Sequence, residues 1–327
     1  MGRRDRLRTA SRRGAVTDTA GSVLGSAQSQ SLGTLDAVKA FLRVVAFPVL
    51  MVGGVSIVFG VHRATGTPIP FLVVSVGLFI FLSVIALERI IPFRPEWNRR
   101  DGQFFNDFGH TVFGTGVGGG LGDLLKNAVF GAVATGLATY TQGGVWPTQA
   151  PWWVQLIGVV LLADLGRYVQ HRLHHRYTSW WRFHELHHSG EVLTTFKTSR
   201  SHFVERVLQQ LFMFGPLVAL GTPPDVLWWF IVPNSFLGNF AHSNADLRLG
   251  PLESIIMGPA NHRFHHSKDL AESNTNFSSG TVFWDIVFRT WTNPAKRQGP
   301  AEVGIENDAT PPKFIDQVLA PFRSRSS

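Results

Sequence analysis

Long apolar runs, separated by short polar stretches, organise this chain. Val44 to Val61 carries no charged residue, and neither does Ile69 to Leu87. Each is near the ~20 residues that a helix needs to cross a bilayer, so the two predict a transmembrane hairpin. From Asn127 to Ala163 charge is again absent. Gly143, Gly144, Pro147 and Pro151 break that run, which predicts one helix before the break, starting around Thr111, and one after it. The first of these holds Asp123 and Lys126, an i,i+3 pair, and many glycines. Val207 to Gly221 and Val226 to Ala241 form a last apolar pair. The connection from Gly221 to Asp225, with Pro223 and Pro224, is a turn signal. Both runs are short for a crossing, and a hairpin that dips into the bilayer fits as well as two full spans. The count is four full spans, or six with the last hairpin.

The polar remainder gives the boundaries: a disordered basic tail over 1–36, the hairpin over 37–91, a catalytic membrane domain over 92–292 and a C-terminal tail over 293–327. Arg3, Arg4, Arg6, Arg8, Arg12 and Arg13 crowd the start, with no apolar core directly behind them as a secretory signal would have. The stretch from Glu88 to Arg100 is also strongly basic. Because Lys and Arg collect on the cytoplasmic side, both ends of the first hairpin are expected there. An even number of crossings puts His171–His202, His242–Asp285 and both termini on that same side. A bacterial inner membrane is the expected location.

Composition supports this reading. The chain is 44% hydrophobic and 16% charged, against about a quarter charged in soluble domains. The net charge of +8 fits membrane topology better than nucleic acid, because the arginines form no stripe on a polar domain. There is no cysteine, which excludes disulfides, iron–sulfur clusters and thiolate zinc sites. Any metal must be held by histidine or carboxylate.

Eleven of the 13 histidines lie between His171 and His266. They form three boxes: His171, His174 and His175; His184, His187 and His188; His262, His265 and His266. His202 and His242 stand singly between them. On a helix, residues three and four apart share a face, whereas successive residues diverge by roughly 100°. Each HxxHH box can therefore hold two metals, or bracket one from two sides. A chance collection of surface or core histidines explains one such residue well and three boxes poorly.

The middle box also reads as HExxH, a zinc-protease motif with Glu185 as general base. That reading leaves His187 without a role. It also leaves the box ending at His266 unexplained, since Arg263 stands there where Glu185 stands in the other.

With these segments in view, the chain resembles the fatty acid hydroxylase and sterol desaturase superfamily of integral-membrane di-metal enzymes. The resemblance runs from about Pro92 to Phe322. It rests on PFRPEWN from Pro92, DLGRYVQHRLHH from Asp164, WRFHELHHS from Trp181, RSHFVE from Arg200, FAHSN from Phe240, NHRFHHSKD from Asn261 and ESNTNFSSGTVFWD from Glu272. Phe203, Ser278 and Arg289 depart from the family's usual Pro, Gly and Gly, and His174 is extra. The resemblance implies an all-α polytopic membrane bundle of four to six membrane helices, with a cytoplasmic histidine-rich helical cap. It implies metal ligation by His171, His175, His184, His187, His188, His262, His265 and His266, extending to His242 and His202. His62, His110 and His174 are left as bystanders.

The implied cofactors are two iron ions, with zinc in some purified members, and O2 as co-substrate. The implied reaction is hydroxylation or desaturation of a lipid C–H bond, with sterol, fatty acyl, carotenoid and ether lipid all open. No side chain breaks such a bond by acid–base chemistry, so the metal carries that step. Without cysteine clusters the electrons must come from a separate donor such as a ferredoxin, a cytochrome or a reductase. A neutral histidine shell needs carboxylates to orient its rings and offset the metal charge. Asp164, Glu205 and Asp269 are the candidates, with the amide of Asn276 as a neutral orienting partner, and Asp285 also flanks the last box. An ordinary helix-end or surface role fits each acid equally.

GTGVGG from Gly114 to Gly119 matches GxGxxG but lies in an apolar helix with no strand before it. Helix packing is the expectation there. Apolar and aromatic residues from Phe212 to Phe240, including Trp228 and Trp229, line a lipid channel or, more commonly, face lipid. The competing readings are a histidine-rich metal-binding or metal-transport protein, an inactive scaffold, and the HExxH membrane protease. A transporter would place its ionisable groups mid-membrane, whereas these histidines sit at helix ends. A scaffold would have lost a box histidine, and none is missing.

Overall fold

The computed structural model describes residues 19–296 and 299–323, and side chains over 33–295 and 299–323. The chain divides into two compact units, 1–41 and 42–327, and the packing below belongs to the second. The described residues form helices and loops with no strand, only isolated bridges such as Pro92 to Ala245. The principal helices are α1 (Thr19–Thr65), α2 (Ile69–Ile90), α3 (Phe104–His110), α4 (Gly119–Thr141), α5 (Trp152–Arg176), α6 (Thr178–His188), α7 (Phe203–Ala219), α8 (Pro224–Ala241) and α9 (Pro259–His265). A π-helical turn, Thr111–Gly118, joins α3 to α4. The disordered tail expected over 1–36 falls partly outside the described residues, and from Thr19 onward the chain is helical.

Prolines set several starts. Pro68 and Pro70 open α2, Pro151 precedes α5, and Pro223 and Pro224 open α8. A proline there gives up an N–H that has no helical partner anyway. Among the described residues three helices are long and apolar enough to cross a membrane: Gly33–Thr65 of α1, α2 and α5. That is one fewer than the four full spans expected. In α4 Asp123 and Lys126 lower the apolar character, and they do pair, at 2.5 Å.

The outer faces of the bundle are apolar. Val52, Phe71, Val74, Leu82, Leu124 and Ile157 are all exposed in the isolated chain, which suits lipid rather than water. Inside, Ile80, Val84, Phe236 and Phe240 pack α2 against α8. Val159, Ala163, Met213, Leu217 and Phe230 join α5, α7 and α8. Close approaches need glycine. A Cβ on Gly166 of α5 would lie 1.9 Å from the Phe212 carbonyl of α7. Cβ atoms on Gly114 and Gly118 would lie 2.6 Å from the Ser201 and Phe203 carbonyls. Two glycines of the GTGVGG segment therefore form a packing seam, as small residues do between membrane helices.

The polar segments gather at the C-terminal end of α5. Glu88, at the end of α2, accepts from Thr195 N (2.7 Å), Thr195 Oγ1 (2.8 Å) and Asn244 N (2.9 Å). Asp107 accepts from Lys197 (2.8 Å) and Arg200 (2.6 Å), all three buried. Buried carboxylates are tolerated when paired and hydrogen-bonded in this way. These bonds fix the loops that carry the histidines.

Candidate metal centre

α5 ends on one box, α6 on the second, and α9 carries the third. The i,i+4 spacing turns His171 and His175 to one face, and the same holds for His184 and His188. Tyr177 breaks the helix between α5 and α6, so the two faces meet. His171, His175, His184, His188 and His265 form one group, and His187, His242, His262 and His266 form another. Within each group the nitrogens able to bind a metal lie within 4.8 Å of one another. His187 and His188 diverge along α6 and enter different groups, as do His265 and His266 around α9. The boxes ending at His188 and His266 each serve both groups, whereas the first, with His174 in neither, serves one.

The ring nitrogens divide their work. On the outer side, His171 Nδ1 donates to the Phe277 carbonyl (2.6 Å), His184 Nδ1 to Glu205 Oε1 (3.0 Å), His187 Nδ1 to the Arg200 carbonyl (3.1 Å) and His265 Nδ1 to the Thr275 carbonyl (2.9 Å). These oxygens only accept, so each Nδ1 holds the proton and a neutral ring leaves Nε2 bare. The Nε2 atoms converge. His171 and His184 are 3.0 Å apart, His184 and His188 3.1 Å, His175 and His188 3.2 Å. In the second group, His187 and His242 are 3.1 Å apart, His242 and His262 2.8 Å, His262 and His266 3.1 Å.

His171 and His184 both present bare Nε2 atoms, and two such nitrogens this close repel unless a cation lies between them. Two nitrogens bound at about 2.1 Å and at right angles to one metal stand about 3.0 Å apart, which matches these spacings. His265 Nε2 is buried and has no hydrogen-bond partner. Burial pushes His187, His188, His262 and His266 well below the ordinary imidazole range, and His242 and His265 to about 3. Neighbouring imidazoles and arginines add to that fall. Neutral rings are the form a metal requires. The residues present fit a pair of metal ions.

The structure does not bring every expected residue here. His202 lies outside both groups. Its Nε2 donates to the Val318 carbonyl (3.0 Å) and its Nδ1 accepts from Val204 N, capping α7. His174 donates to the Gln170 carbonyl (2.7 Å), His110 contacts Gln317 (2.9 Å), and His62 lies at the exposed end of α1. Of the four orienting candidates, Glu205 alone touches a grouped imidazole. Asp164 accepts from Gly280 N, Thr281 N and Thr281 Oγ1 and so fastens the closing loop to α5. Asp269 caps a short helix at Ala271. Asn276, at φ +57°, bonds the Asn261 and Thr292 carbonyls and Thr292 N.

Asp285 acts at one remove: it accepts from Phe277 N and Ser278 N (both 2.8 Å), and the Phe277 carbonyl orients His171. The carbonyls of Arg200, Thr275 and Phe277 gave no sequence signal, because every residue carries one. Glu185 lines a separate cavity with Arg182, Gln317 and Arg323, away from the convergent nitrogens. That is a poor place for the base of an HExxH protease.

A cavity of about 390 Å³ reaches His187, His242 and His262 from the α7–α8 side. Met213, Phe214 and Ile231 line it, whereas Trp228 and Trp229 do not. Trp229 instead stacks on Phe59 of α1, ring centroids 3.9 Å apart.

Residues 156–290 match the fatty acid hydroxylase family model. An ornithine lipid hydroxylase, OlsE, of Rhizobium tropici is 36% identical over 250 residues, covering 74% of this chain and 74% of that protein. The alkylglycerol monooxygenase of Xenopus tropicalis is 28% identical over 173 residues, 50% of this chain and 37% of its own length. The human alkylglycerol monooxygenase is 30% identical over 146 residues, 45% of this chain and 32% of its own length. No solved structure matches. An all-helical fold with membrane-length apolar helices, histidines gathered from three boxes, and a relative matched over three quarters of the chain lead to one conclusion: the chain belongs to the fatty acid hydroxylase superfamily and is a membrane-bound oxidoreductase acting on lipids.

Proposed function

We propose that the protein is a di-iron lipid monooxygenase. His171, His175, His184, His188 and His265 hold one iron, and His187, His242, His262 and His266 hold the other. The observation that carries this reading is the convergence of Nε2 atoms at 2.8–3.2 Å in two adjacent groups, four of them on rings whose Nδ1 holds the proton. His202, outside both groups, serves the start of α7. Residues 92–292 form the catalytic membrane domain behind the hairpin of residues 37–91. The histidine cap and both termini face the cytoplasm of a bacterial inner membrane, where a ferredoxin, cytochrome or reductase supplies electrons.

When bound, the irons supply reductive activation of dioxygen, which no side chain here provides. In hydroxylation a C–H bond, O2, two electrons and two protons become C–OH and water. The chain's own residues do the rest. The Arg200, Thr275 and Phe277 carbonyls and Glu205 keep four Nδ1 protons in place, so that four Nε2 lone pairs face inward. Glu205 offsets part of the added positive charge. The α7–α8 cavity presents the substrate carbon beside His187, His242 and His262.

The test is turnover in membranes. Iron-loaded protein, reductant and isotopically heavy O2 are expected to place one heavy oxygen atom in a lipid. Oxygen drawn instead from water, or no oxygen incorporated by protein that carries two irons and is fully reduced, would refute the proposal.

A further inference from the structure

The α7–α8 cavity carries more polar groups than an aliphatic chain alone requires. Ligand sites for apolar molecules are mostly apolar, with few polar groups. Here Arg167, Arg206, Gln209, Asn234, Ser235 and Asn239 all line the space that reaches His187, His242 and His262. Ser235 and Asn239 already donate to the Ile231 and Gly77 carbonyls, so it is chiefly the arginines that an aliphatic chain would leave unanswered.

The charge is also unbalanced. No carboxylate lines the cavity among the described residues. The nearest acid, Glu205, already accepts from His184 at 3.0 Å and lies 3.8 Å from Arg167. Arg206 donates only to neutral oxygens, Gln209 Oε1 (3.1 Å) and the Thr198 carbonyl (3.1 Å). The Nε atoms of both arginines are buried and have no partner. A guanidinium with donors to spare, in a low-dielectric wall, is a receptor for a carboxylate or phosphate oxygen.

We propose that this cavity receives the anionic polar end of the lipid, a carboxylate or a phosphate held by Arg206 and Arg167, so that the carbon oxidised lies close to the headgroup and not far along an acyl chain. This rests on the oxygenase reading for where the chemistry occurs, but the binding it requires does not.

Binding is measured with the purified full chain in neutral detergent, with and without metal. The probes are N-dodecanoylglycine for a carboxylate, dodecyl phosphate for a phosphate, and 1-dodecanoylglycerol as the neutral control. Wild type is expected to bind at least one anionic probe about tenfold or more tighter than the control, the gain of one charge-assisted hydrogen bond. The tighter of the two anions names the headgroup chemistry. Arg206→Gln is expected to lose that preference, and Arg206→Lys to keep part of it. Equal binding of all three probes by wild type would overturn the proposal, and that comparison stands even if the variants fail to fold. So would an unchanged preference in folded Arg206→Gln. Fragmentation of the oxidised lipid gives a second readout. Oxygen on a carbon near the headgroup is expected, and oxygen deep in the acyl chain would overturn this inference while leaving the oxygenase intact. Arginine-dependent binding without any turnover would strike the oxygenase reading instead.

Discussion

Glu205 offers a quantitative handle on the metal centre. Its Oε1 accepts from His184 Nδ1 at 3.0 Å, and both side chains are buried. A hydrogen bond to a charged group contributes about 1.5–3 kcal/mol, which at 1.4 kcal/mol per decade is a factor of roughly ten to a hundred. Loss of a partner that orients a ligating histidine costs about the same in metal affinity. Glu205→Ala removes both acceptor and charge and also leaves Arg167 without its carboxylate at 3.8 Å. It is expected to weaken one metal about a hundredfold. Glu205→Gln can still turn an oxygen toward Nδ1 and is expected to lose about tenfold, since the charge alone is gone. Because His184 belongs to the five-histidine group, the other metal should bind nearly as before. The assay is an anaerobic iron(II) titration against a competing chelator, with metal content read in two steps. Wild-type affinity for both metals in Glu205→Ala would refute the tautomer argument.

Further expectations concern packing, acid stability and the split between the groups. Gly166→Ala should force α5 from α7, because its Cβ would meet the Phe212 carbonyl at 1.9 Å. Overpacking of this kind costs typically about 1–3 kcal/mol, and an unshifted melting temperature in detergent would contradict the close contact. His110, held at about 4 by burial, stays neutral while the unfolded chain takes up a proton near pH 6.5. Its contribution is therefore whole above about pH 6.5 and is lost as pH falls toward 4, by about 3 kcal/mol at 1.36 kcal/mol per unit. Melting curves from pH 7 to 4 should show a shallower acid limb in His110→Gln than in wild type. His188→Ala and His187→Ala should each weaken a different metal, whereas His174→Ala should weaken neither, as metal analysis after limited chelation would show.

Much of this centre could be read from the chain, for a definite reason. The i,i+3 and i,i+4 spacings fix which imidazoles share a helix face, and the divergence of neighbours allows the second and third boxes to serve two groups, although the first box has the same spacing and serves one. The apolar runs likewise locate the helices, because burial in lipid demands them. What failed to show depends on tertiary contact. Asp164 does lie two turns before His171 on α5, but the closing loop at Gly280 and Thr281 takes up both its oxygens. Asp269, next to the last box, turns outward to cap Ala271. His202 looks like a lone ligand between boxes, yet its two nitrogens serve Val318 and Val204. The carbonyls that orient three rings are invisible to any residue pattern. For Trp228 and Trp229 a lipid channel is the less common of two readings, and the face they occupy meets α1 and not the grouped histidines.

The central claim is that nine inward-facing imidazoles hold two irons per chain. Anaerobic loading of the purified full chain with iron(II), followed by metal analysis and Mössbauer spectroscopy, tests it most directly. The account predicts two irons per chain that become magnetically coupled on oxidation. One iron per chain, or two that remain uncoupled and survive His187→Ala, would contradict it.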